Sequence, residues 1–127
     1  MDEVSVAFII FDKCLNAIGL IRDGKVKKNT QTDKALLSLY AALSETKAYV
    51  AYIAEGKPCD RQREYKLAKL WHEATVPLRH IDKDLADRCF LKGSYWMEPE
   101  SWTEAGIKEN RIALDQVFES TRDLLLS

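Results

Sequence analysis

Residues 67–89 read LAKLWHEATVPLRHIDKDLADRC, and the spacing of the apolar side chains in this stretch predicts the fold class. Apolar residues recur at steps of four and three, as along one face of an α-helix: Leu67, Trp71, Ala74, Leu78, Ile81, Leu85 and Cys89. Pro77 does not interrupt this periodicity, although proline lacks an amide hydrogen and clashes with the carbonyl four residues before it. We therefore expect one long helix, kinked at Pro77 or split there into two collinear pieces.

Three other segments have the same helical periodicity. The first covers about residues 3–22, although dense β-branched side chains in residues 4–10 leave a short strand there as an alternative. The second begins with a threonine cap at Thr30 and ends at Gly56. The last follows a break in the pattern at residues 92–99 and continues to the end of the chain.

Four helices joined by short connections predict an all-α fold in which sequential helices are antiparallel neighbours. We expect an up-down-up-down antiparallel four-helix bundle, with the third helix kinked or split near Pro77 and residues 1–127 forming a single domain. A chain of 127 residues is long enough to bury one core without metals or disulfides. Its five glycines and three prolines also suit long helices better than many short strands and turns.

The charge composition argues against nucleic acid as a partner. Lysines and arginines number 19 against 20 aspartates and glutamates, so the chain lacks the positive field that binding to a phosphate backbone requires. The apolar stretch at residues 4–11 is too short to span a membrane and lacks the basic flank of an export signal. We expect a cytoplasmic protein in which Cys14, Cys59 and Cys89 are reduced, because three widely spaced cysteines match no disulfide or zinc pattern.

Recognised motifs for catalysis and metal binding are missing from the sequence. His72 and Glu73 begin like the zinc-protease motif HExxH, but Val76 stands where the second histidine is required. Asp84 and Asp87 are one helical turn apart, as in half of a magnesium site, but no second acidic pair accompanies them. We therefore assign no catalytic residue, no metal site and no cofactor.

An aromatic block, defined as Tyr95, Trp96 and Trp102, follows the third predicted helix. Aromatic side chains with a polar edge commonly close one end of a bundle, but they also cover ligands and contact protein partners. Together with Trp71 and Arg88, which precede the block, they form our candidate small-molecule site. A small-molecule-binding bundle, with or without enzyme activity, is therefore the alternative function.

A polar layer is also expected inside the bundle. When antiparallel helices are aligned by their midpoints, Thr46, Thr75 and Asn110 fall at nearly the same height among apolar residues. Such a layer commonly fixes the register of helices through hydrogen bonds. The other interpretation of this layer is a small ligand cavity.

Helix one has more apolar side chains than one buried face requires. An inward stripe needs only about three positions in seven, yet Val6, Ile9, Ile10, Ala17 and Leu20 project largely away from that stripe. Monomers rarely expose such a patch, and a symmetric second copy commonly covers it. We therefore expect a non-catalytic interaction module, homodimeric through the surface that includes Val6, Ile9 and Ile10. The alternative is that the last helix or the aromatic block covers this face within the monomer.

Overall fold

The computed structural model describes the backbone of residues 3–96 and 104–126, and the side chains of residues 11–91, 93 and 114–126. The described backbone forms five α-helices and no strand: α1 Glu3–Arg22, α2 Thr30–Ala54, α3 Arg61–Leu78, α4 Lys83–Trp96 and α5 Glu104–Leu126. The all-α fold class is therefore confirmed. The alternative of a short strand at residues 4–10 is wrong, because this segment belongs to α1.

The N-terminus of α2 is capped one residue earlier than the sequence analysis proposed. Asn29, rather than Thr30, is the N-cap, and its side chain accepts a hydrogen bond of 3.0 Å from the backbone N–H of Thr32. In return, the backbone N–H of Asn29 donates to the Thr32 hydroxyl at 2.7 Å. This reciprocal capping box satisfies donors that a helix N-terminus otherwise leaves unpaired.

The single long helix predicted over residues 67–89 is two helices that fold back on each other. α3 ends one residue after Pro77, and the Asp82 carboxylate then accepts a hydrogen bond of 3.2 Å from the N–H of Leu85 in α4. The ring of His72 stacks on that of Phe90, with 4.8 Å between centroids. Collinear helices would separate these residues by roughly 27 Å, so α3 and α4 form an antiparallel hairpin.

The packing of α4 on α3 depends on the absence of a side chain at Gly93. A Cβ added there would lie 2.3 Å from Cδ2 of His72 and 3.0 Å from the carbonyl oxygen of Ala68. The imidazole of His72 would have to move and the Ala68 carbonyl would be in tight contact, so a side chain at position 93 would disturb the packing of the two helices. Neither the kinked helix nor the collinear arrangement is therefore confirmed, although the break near Pro77 is observed.

The helices pack in an order that differs from the predicted bundle. α2 packs on α3 and α5, and α1 packs on α5 and α4. α2 and α5 are antiparallel, because Tyr40 stacks on Phe118 at 5.0 Å while Lys47 pairs with Asp115 at 3.5 Å. The up-down-up-down four-helix bundle is not confirmed, because that arrangement has four helices and requires α1 to pack on α2.

The core is shared by all five helices, and Trp71 is its largest fully buried side chain. The indole N–H of Trp71 donates a hydrogen bond of 3.0 Å to the hydroxyl of Thr46, which in turn donates to the carbonyl of Ala42 at 2.7 Å. Thr75 is half-buried and donates to the carbonyl of Trp71. Thr46 and Thr75 thus both bind Trp71 rather than each other, and the side chain of Asn110 lies outside the described residues.

Candidate functional site

The loop end of the α2–α3 pair contains a fully buried carboxylate, that of Glu64. One of its oxygens accepts a hydrogen bond of 2.5 Å from the hydroxyl of Tyr49, and the other accepts one from the guanidinium of Arg61. The Tyr49 oxygen also accepts the backbone N–H of Asp60 at 2.8 Å, which ties the loop to α2. These groups are termed the Glu64 cluster.

The Glu64 cluster is protected by aromatic and cationic side chains. The rings of Tyr49 and Tyr52 stack with 5.8 Å between centroids, and the guanidinium of Arg63 lies over both rings. Burial raises the pKa of the Tyr49 hydroxyl far above its usual value, and the hydrogen bond to Glu64 raises it further. Because both carboxylate oxygens have donors and the carboxylate is sealed from solvent, the cluster stabilises the fold rather than binding a ligand.

The sequence analysis did not identify the Glu64 cluster, although a signal for it exists. Glu64 lies three residues before Leu67, in phase with the apolar stripe of α3. A carboxylate at a buried position must find hydrogen-bond donors, because burying it unpaired is very costly. The stripe therefore indicated that Glu64 is buried, but the spacing did not identify Tyr49 as its partner.

A groove opens at the other end of the same helix pair, where the first turns of α2 face the last turns of α3. Its volume is about 620 Å³. It is lined on the α2 side by Thr30, Gln31, Lys34, Leu37 and Ser38, and on the α3 side by Glu73, Val76, Pro77 and His80. A hollow of about 190 Å³ extends it along Leu37, Ser38, Ala41, Leu70 and Glu73. The two together are termed the α2–α3 groove.

The α2–α3 groove remains open because the side chains between the two helices are short or polar. Ser38 and Ala41 of α2 are too small to reach across to α3, while Lys34 and Glu73 prefer water to a dry interface. Two large aliphatic side chains nevertheless border the groove. Leu37 on α2 is 62% exposed, and Val76 on α3 is 56% exposed.

The charges along the groove differ between its two walls. Lys34 lies on the α2 wall and has no ion-pair partner among the residues whose side chains are described. Glu73 lies on the α3 wall, where Lys69 approaches its carboxylate only to 3.9 Å. A ligand seated between the walls would therefore meet a positive charge on one side and a negative charge on the other.

The structure describes the side chains of two of the five residues of the predicted small-molecule site, Trp71 and Arg88. Trp71 is fully buried in the core, where its polar N–H is already bonded to Thr46. Arg88 pairs with Asp84 at 3.0 Å, and Asp84 also pairs with Lys13 at 3.3 Å. Arg88, followed by Lys13, lowers the pKa of the Asp84 carboxyl. The side chains predicted to complete the site lie outside the described residues: Tyr95, Trp96 and Trp102.

The predicted dimer surface on α1 is described only in part. The side chains of Val6, Ile9 and Ile10 lie outside the described residues. Further along α1, Ala17 is buried and Leu20 is half-buried, because α1 packs on both α5 and α4. The fold of the monomer thus covers Ala17 fully and Leu20 in part.

Two of the three cysteines meet in the core. Cys14 of α1 and Cys89 of α4 are fully buried neighbours, whereas Cys59 is exposed in the loop after α2. The neighbouring Cys89 thiol, together with burial, raises the pKa of the Cys14 thiol well above its usual value. A buried thiol of raised pKa is unreactive, so this pair is not a nucleophilic site.

No family model, curated protein or solved structure matches the chain. Within residues 3–96 and 104–126, no helix combines the length and apolar character needed to cross a membrane. The described side chains also contain no group of three His, Cys, Asp or Glu placed to hold a metal ion.

Proposed function

We propose that this protein is a non-catalytic interaction module that binds another protein through the α2–α3 groove. The observation that carries the proposal is the pair of aliphatic side chains on opposite walls, Leu37 and Val76, both more than half exposed. Exposed apolar side chains gathered around a concave surface are characteristic of binding sites, whereas single scattered ones are not.

Burying these two side chains contributes a substantial part of the free energy of binding. Fully burying a leucine or valine side chain contributes about 1.5–3 kcal/mol relative to leaving it in water. A partner that covers both Leu37 and Val76 therefore gains several kcal/mol before any polar contact forms. The costs of association offset much of this gain, so the groove suits a reversible complex.

The chemistry of the groove supports binding rather than catalysis. Its titratable side chains are Lys34, Glu73 and His80, and no hydrogen bond joins any two of them in the described part of the chain. An activated nucleophile is commonly held within hydrogen-bond reach of its general base, and the described lining of the groove contains no such pair.

Site-specific photo-crosslinking in cells tests this proposal. A benzophenone amino acid at Leu37 and, separately, at Val76 should capture the same protein, to be identified by mass spectrometry and confirmed with purified components. The matched control is Tyr65, an exposed apolar residue of α3 that does not line the groove. Capture of the same protein from Tyr65, or different proteins from the two groove positions, contradicts the proposal.

A homodimer is part of the same proposal and has its own test. The support is the apolar surface that the sequence places on α1 through Val6, Ile9 and Ile10. Sedimentation should show a dimer at micromolar concentration, and changing Ile9 and Ile10 to lysine should give a folded monomer. A wild-type monomer excludes dimerisation through α1 and leaves the groove proposal intact.

A further inference from the structure

We propose that the segment bound in the α2–α3 groove is a single amphipathic α-helix of another protein, with an acidic side chain facing Lys34. This inference rests on the proposed function and names the kind of partner. It is carried by the spacing of the groove residues, by the absence of any other recognition surface in the groove and by the charges on the walls.

Both walls of the groove follow the spacing that a third helix needs. On α2 the residues along the seam are Gln31, Lys34, Ser38 and Ala41, at steps of three, four and three. On the α3 side they are Leu70, Glu73, Pro77 and His80, at the same steps. Alternating steps of three and four produce the holes into which side chains of a neighbouring helix insert.

One end of the groove is closed, which sets the length of helix that fits. Glu45 and Lys66 occupy the next position in each series, and their side chains pair across the seam at 3.4 Å. From Gln31 to Ala41, α2 rises roughly 15 Å, so the open part accepts about three helical turns. Beyond the Glu45–Lys66 pair, the Glu64 cluster holds the two helices together.

Other modes of peptide recognition lack a surface in this groove. An extended strand binds to a free sheet edge, but both walls are helices whose backbone groups are bonded within the helix. A polyproline segment binds between aromatic side chains, and the described lining contains no Phe, Trp or Tyr. A helix that inserts aliphatic side chains between Leu37 and Val76 matches the lining best.

The charges on the walls orient the bound helix. Lys34 lacks an ion-pair partner among the described side chains, so an acidic residue on the flank of the helix facing α2 would pair with it. A basic residue on the opposite flank would face Glu73, whose contact with Lys69 is at the limit of an ion pair. Such complementary charges fix the orientation of a complex more than they strengthen it.

Synthetic helical peptides of about four turns test the inference, since this length exceeds the open part of the groove by one turn. The patterned peptide carries leucines at heptad spacing with glutamate on one flank and lysine on the other. A control peptide has the same composition in scrambled order, and fluorescence anisotropy measures the dissociation constant of each. The patterned peptide should bind at least about tenfold more tightly, because it alone inserts aliphatic side chains along the groove.

Two variants of the protein locate the binding. Replacing Leu37 with aspartate should weaken binding of the patterned peptide by about tenfold or more, while the matched change Tyr65→Asp should leave it unchanged. The variant Lys34→Glu should weaken binding about two- to fivefold, the range of an exposed ion pair, and a peptide with lysine in place of its glutamate should recover that loss.

The outcomes distinguish this inference from the proposed function. If the crosslinking experiment identifies a partner but patterned and scrambled peptides bind equally or not at all, the helix inference is overturned and the docking function stands. If crosslinking at Leu37 joins two copies of this chain, the occupant is a second copy and the inference is also overturned. Failure of both experiments overturns both proposals.

Discussion

At the loop end of the α2–α3 pair, both oxygens of the buried Glu64 carboxylate accept hydrogen bonds. At the groove end of the same pair, by contrast, Glu73 is exposed and Leu37 and Val76 face solvent. The same two helices thus have one end in which a buried carboxylate is satisfied within the fold and another in which two large apolar side chains are exposed. A buried charge must be paired to be tolerated, so the loop end constrains the fold strongly. The groove end leaves its side chains free for binding.

The largest expected effect comes from replacing the buried carboxylate. Glu64→Ala should lower the free energy of unfolding by about 3 kcal/mol, because the buried Tyr49 hydroxyl loses its acceptor and a cavity remains. The matched control is Glu73→Ala on the same helix, which should change stability by about 0.5 kcal/mol or less. Urea denaturation followed by circular dichroism measures both, and equal losses would contradict the contrast between the two ends.

The opposite face of α3 provides a second closed surface, where α4 packs through Gly93. Gly93→Ala should destabilise the protein by about 2 kcal/mol, because the added methyl group overlaps His72 and forces the helices apart. Adding His72→Ala should recover part of this loss, since the two nearest atoms belong to the imidazole. A double variant no more stable than Gly93→Ala would show that the Ala68 carbonyl, rather than His72, limits the approach.

Alkaline pH should lower the free energy of unfolding through the ionisation of Tyr49 at the loop end. Its pKa is raised in the folded protein, so its contribution to stability is complete below the unfolded pKa of about 10 and is lost at higher pH, where the unfolded chain ionises first. Between pH 9 and pH 11 the loss from this group should be about 1.4 kcal/mol. The Tyr49→Phe variant should not show that loss in the free energy of unfolding, whereas the control Tyr65→Phe, which alters an exposed ring, should show it as the wild type does. An equal pH dependence in the wild type and both variants would refute the assignment to Tyr49.

The smallest effect is expected at the groove. Leu37→Ser and Val76→Ser should each change the free energy of unfolding by about 0.5 kcal/mol or less, because both side chains are already largely in water. The same denaturation measurement checks this. A loss above about 1 kcal/mol would show that these side chains support the fold and would weaken their assignment to binding.

The extent of the first helix was predictable from the sequence, because periodicity and end signals are local. The predicted first helix matches α1, Glu3–Arg22, and the predicted start of the second helix is within one residue of the start of α2, whose cap is Asn29 rather than Thr30. The hairpin between α3 and α4 was not predicted, because the apolar positions stay in phase through the turn after Pro77 and periodicity does not record a reversal of direction. Asp82, which caps α4, was a local sign of a new helix in addition to the break at Pro77.

The candidate site was less predictable because it depends on contacts between helices. Leu37 lies in a helical pattern that does not show whether a neighbouring helix covers it, so its exposure required the packing of α3 on α2. Ala17 illustrates the opposite case, since the sequence suggested a surface position and α1 instead packs on two helices. Trp71 was assigned to a ligand site because its indole N–H could bind a ligand, but that N–H donates a hydrogen bond to the Thr46 hydroxyl within the core.

The contact between Cys14 and Cys89 has a consequence for the order in which the protein folds. The α2–α3 and α3–α4 contacts join segments that are adjacent in the chain, whereas this thiol pair joins the first helix to the fourth, and closing so long a loop is entropically slow. During refolding, the α2–α3–α4 unit should therefore assemble before α1 docks. Pulses of an alkylating reagent should modify both core thiols until late in refolding. The time at which the two thiols become protected therefore reports when α1 docks.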